Sequence, residues 1–126
     1  MIERAFSEAA CAVDALERAS PPLETLLEEG MAIVRGLLIA YGHRAGKAMV
    51  EDEDILRVFK AFVKGDPSLN AIRDSVRELV FMQNCLRLGR PDALPPRPER
   101  MAVRLVRHIA LYLQSRCEQS GWLERS

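Results

Sequence analysis

Two histidines, one run of acids and one ladder of arginines are the residues whose types and spacing can do chemistry in this chain. Di-iron helical bundles draw on Glu-x-x-His pairs from facing helices. Here Ala40 stands three before His43, and Leu105 stands three before His108, so that motif is absent. The His-Glu-x-x-His zinc motif is absent as well. Glu51-Asp52-Glu53-Asp54 is rich enough in oxygen to attract a hard cation. Four consecutive residues cannot all face one ion, however, and no second carboxylate cluster follows at a useful spacing. The run reads instead as the solvated start of a helix, where the dipole favours acids. Cys11, Cys85 and Cys117 are widely spaced, with no CxxC pair. They are expected as small buried hydrophobes of a reducing compartment rather than as zinc ligands. No metal and no cofactor are expected.

Arg97, Arg100, Arg104 and Arg107 step by three, four and three, with His108 beside them. That spacing makes one stripe on a helix. Arginines so arranged suit phosphate or carboxylate partners, while the plainer alternative is an ordinary exposed face. Leu111 continues the same outer face, which is odd for a purely solvated surface and points to a protein interface. His43 lies between Gly42 and Arg44, in a segment read as a loop, where it is a candidate phosphate contact. The helical layout is similar, in a generic way, to small bundles of the HEPN type. Nuclease members of that type carry an arginine, four to six residues, then a histidine. Here three residues separate Arg104 from His108 and seven separate Arg100 from it. The resemblance therefore implies a non-catalytic bundle.

The whole chain restricts these options. Its 126 residues make one domain, expected to bury roughly two-thirds of the surface of the unfolded chain. Formal net charge is zero, which argues against nucleic-acid binding over the whole surface. The halves differ, with twelve acids and eight bases up to Asp66 and six acids and ten bases after it. No signal peptide is read at the N-terminus and no run is long enough to span a membrane, so the expectation is a cytoplasmic protein.

Five helices must position these residues. Ile2, Phe6, Ala9, Val13 and Leu16 share one face, and the first helix ends near Ser20 because Pro21-Pro22 follow. Ser20 is the expected N-cap of a second helix over 21–41. Gly30 falls on its apolar arc and predicts close approach of a neighbour. A short third helix has the acidic run at its start, the apolar residues Ile55, Leu56, Val58, Phe59, Phe62 and Val63, Lys60 and Lys64 near its end, and Gly65 as its expected cap. Asp66-Pro67 predicts the start of a fourth, reaching Leu88. Leu79 to Met82 is apolar on all sides, so it is either central or covered by a partner. The last helix runs from about Pro98 into the Gln119-Ser120-Gly121 region, with Trp122 and Leu123 folding back as a lid. The expected architecture is an all-α, up-down bundle of four main helices and one short one, in one domain over 1–126.

The function expected from these readings is a non-enzymatic protein-interaction or regulatory module, self-associating as a homodimer or binding a protein partner. Phe81, Met82, Cys85 and Leu111 are the expected interface residues. The alternative is a HEPN-like RNA-binding or RNase-like bundle, using Arg97, Arg100, Arg104, Arg107 and His108.

Overall fold

The protein is an all-α helical bundle. The computed structural model describes residues 2–124, and among them there is no strand. Helix α1 is Ile2–Ala19, α2 Leu23–Arg44, α3 Ile55–Val63, α4 Arg73–Arg87 and α5 Pro98–Gln119. Short 3-10 turns occupy Pro67–Ile72 and Pro91–Ala93. Helix α2 is central and packs against all four others, and α5 lies across α1, α2 and α4. One hydrophobic cluster takes side chains from every helix.

The predicted periodicities become this core. Ile2, Phe6, Ala9, Val13 and Leu16 are the buried face of α1. Gly30 marks the crossing of α2 and α5: a Cβ built there would lie 2.9 Å from Val106 Cγ2. That is closer than real side-chain carbons approach, so the bare backbone is what lets the two longest helices meet at this point.

Several boundaries differ from the sequence reading. Ser20 does not cap α2. It has a left-handed φ of 46° and its hydroxyl donates to the Glu17 carbonyl, so it closes α1. Pro22 takes the cap position of α2 without a side-chain bond. Helix α2 continues past Tyr41 through Gly42 and His43, so His43 lies in a last helical turn and not in a loop. The break comes at Gly46, with φ 77°. Its N–H bonds the His43 carbonyl while the Lys47 N–H bonds the Gly42 carbonyl, the paired bonds of a Schellman turn. The same two bonds end α4 at Gly89 and α5 at Gly121. The α5 turn throws Trp122 back onto Tyr41, ring centroids 5.1 Å apart, with the Arg44 guanidinium 4.8 Å above the indole. The lid expected of Trp122 is thus formed, and Leu123 packs on the core beside it. Asp66-Pro67 opens a 3-10 turn, and the α-helix begins only at Arg73. The Asp66 carboxylate is held by Ser68 and Arg116 and makes no capping bond.

Candidate interaction face and arginine cleft

Adjacent residues of α4 have opposite fates. Leu79 and Met82 are fully buried, Val80 is half-buried and Phe81 is 45% exposed. The segment read as apolar all round is therefore mostly core, with one aromatic ring left in solvent. Leu88, just past α4, and Leu111, on α5 at 58%, are exposed too. Met82 and Cys85, expected at an interface, are buried within the chain, at 0% and 5% exposure. Met82 lies about 100° around α4 from Phe81, on the arc that packs inward, whereas Cys85 lies only about 40° from Phe81 and is covered all the same. Phe81 and Leu111 are what remains of the expected interface.

The arginine stripe divides. Arg97 is exposed at the start of α5, in a left-handed conformation with φ 51°. Arg107 is half-buried and reaches α1, with Asp14 at 3.0 Å and Glu17 at 3.3 Å. Those two acids are three residues apart and so share a helix face. Arg100 and Arg104 are exposed and have no ion-pair or hydrogen-bond partner among the described residues. They line an open cleft between the α1–α2 turn and the first half of α5. Its apolar walls are Leu16, Pro21, Leu26 and Val103, and Glu17 and Glu99 also border it. His108 is exposed and does not line the cleft.

The acidic run is used for structure. Asp54 accepts the Leu56 N–H as the cap of α3, and Asp52 accepts the Asp54 N–H. Arg57 lies 3.5 Å from Asp52 and 3.8 Å from Asp54. Among the described residues no group of three or more His, Cys, Asp or Glu is placed to hold a metal ion. Cys85 and Cys117 are buried as expected, but Cys11 is not: it lies on α1 outside the buried face of Ile2, Phe6, Ala9, Val13 and Leu16 and is exposed. Burial pushes the Cys117 thiol up to about 11, so it stays protonated and unreactive at neutral pH.

Two features had no sequence signal strong enough to find them. One is a shallow groove between α1 and α2, floored by Ala12, Ala32, Ile33 and Gly36. Its mark in the sequence is small residues outside the inward arc of α1 and a mid-helix glycine in α2. The other is a polar clamp. Arg116 of α5 bonds Asp66 at 2.9 Å and the Ser68 hydroxyl at 3.1 Å, and the Tyr112 hydroxyl donates to the Ser68 carbonyl at 3.3 Å. Lys47 donates to the Phe62 carbonyl nearby. Burial lowers the Lys47 pKa, opposed by the Asp66 charge.

Asp66 gives the clamp a pH dependence. The Ser68 hydroxyl first, then Arg116 and Lys47, hold its carboxyl below the ordinary carboxylate range. A carboxyl with a depressed folded pKa adds stability above its unfolded pKa of about 3.9, and that stability is lost as pH falls through the folded value. Asp66→Asn is therefore expected to be less stable than the parent at neutral pH, by about 1–3 kcal/mol. The gap should close as the pH falls below about 4. Urea unfolding across that range tests it; a gap that stays constant into acid would remove Asp66 from the clamp.

Comparison with protein-family models, curated proteins and solved structures finds no match to this chain.

Proposed function

We propose that this chain is a non-enzymatic interaction module that self-associates as a homodimer through the outward faces of α4 and α5. The observation that carries this reading is the exposure of Phe81 and Leu111 on helices that otherwise turn their large apolar residues inward. Arg73, Asp74 and Arg77 are exposed on α4 and carry both signs, which suits an isologous contact. Among the described residues no helix is long and apolar enough to cross a membrane.

Light scattering on a size-exclusion column tests the proposal. The parent is expected to have twice the 14.2 kDa chain mass, and the double variant Phe81→Asp, Leu111→Asp to fall to the chain mass with its helical circular dichroism intact. A parent that is monomeric, or a double variant that stays dimeric, overturns it.

A further inference from the structure

We infer that the cleft between the α1–α2 turn and α5 binds a small amphiphile, one compact anionic group carried on an apolar body. This site is separate from the proposed α4–α5 contact and does not depend on it.

The anionic group follows from Arg100 and Arg104. They sit one helical turn apart on the cleft wall, and neither has a partner among the described residues. Like charges at that spacing repel, and one carboxylate or phosphate monoester held between two guanidinium forks would relieve the repulsion. Helix dipoles act in the same direction. The first turns of α2 and α5 and the last turn of α1 border the cleft, two positive ends against one negative. The arginines supply its full positive charges.

The apolar body follows from the walls. Leu16, Pro21, Leu26 and Val103 offer nothing to a bare ion, and the cleft, ≈ 560 Å³, is within the size range of small-molecule sites. The borders limit the charge to a single group. Arg107 is already satisfied by Asp14 and Glu17, and Glu17 and Glu99 stand where an extended polyanion would have to pass. These observations favour a small amphiphile over a nucleic-acid strand, whose phosphates need a run of free cations.

Octyl phosphate and octanoate, each below its micellar concentration, can be titrated into the ¹⁵N-labelled 126-residue chain, with inorganic phosphate and octanol as controls. Saturable amide shifts are expected around Leu16–Leu26 and Arg100–Arg107 for at least one of the two amphiphiles. The preferred probe then tells a phosphate monoester from a carboxylate. Both controls should bind more weakly by about tenfold or more, and Arg100→Gln, Arg104→Gln should weaken the preferred amphiphile as much. Both arginines are exposed, so the variant should keep its circular dichroism. No saturable shift, shifts elsewhere, equal binding of either control, or an unaffected variant overturns the inference. Salt-sensitive binding of single-stranded RNA without binding of either amphiphile overturns it as well, and would assign Arg100 and Arg104 to phosphate tracking.

Discussion

Phe62→Ala is expected to lower the stability of this protein by about 3–5 kcal/mol, the range for a buried phenylalanine reduced to a methyl group. Phe62 is fully buried in α3. Its ring lies 5.4 Å from Tyr41 in an edge-on arrangement and 5.6 Å from Phe59, and its carbonyl accepts the Lys47 ammonium. Helix α3 has nine residues, too few to hold a helix by propensity, so packing must hold it. A chain of this length is stable by roughly 6–19 kcal/mol in total, so the loss is a large share. Leu56→Ala, at an exposed position of the same helix, is expected to change stability by no more than about 0.5 kcal/mol. Urea unfolding of the two variants side by side is the measurement. A Phe62→Ala loss below about 1 kcal/mol would mean that α3 is not docked as described.

Met82→Asp is expected to unfold the chain at neutral pH, whereas Phe81→Asp leaves it folded. The two positions are neighbours on α4, at 0% and 45% exposure. An aspartate at 82 must either bury an unpaired charge or take up a proton, and it leaves the space of the methionine unfilled. The first two options alone cost several kcal/mol. At 81 the carboxylate reaches water and costs little within one chain. Circular dichroism separates the outcomes: helical spectra for both variants would contradict the burial of Met82, and loss of structure in both would make Phe81 core. Only a folded Phe81→Asp chain makes its oligomeric state informative about the interface.

The fold was legible in the sequence because apolar spacing is set by burial, and burial is what the helices share. The inward face of α1 could be read residue by residue, and so could the close approach at Gly30. Helix ends were less legible. Ser20 looked like a cap, but the cap position lies beyond Pro21, and Asp66 looked like one until Ser68 and Arg116 took its oxygens. The two misreadings differ in cause: Ser20 closes α1 by bonding the Glu17 carbonyl three residues back, whereas the Asp66 carboxylate is also drawn to Arg116, which only folding brings near. The site was legible in residue type and not in pairing. Arg100, Arg104 and Arg107 read alike in sequence, and only the approach of α1 distinguishes Arg107. Met82 was assigned outward because an all-apolar stretch does not reveal which of its sides is covered.

The docking of Trp122 on Tyr41 has a practical consequence. The chain has a single tryptophan, so its intrinsic emission reads one end of the molecule, where the turn after α5 meets the end of α2. Circular dichroism averages over all five helices. A spectral shift that precedes the loss of helicity on heating would time the release of this terminal turn by itself. A coincident pair of curves would make the turn part of the cooperative unit. The unmodified protein thus carries its own local probe, at a place distinct from both the α4–α5 face and the arginine cleft.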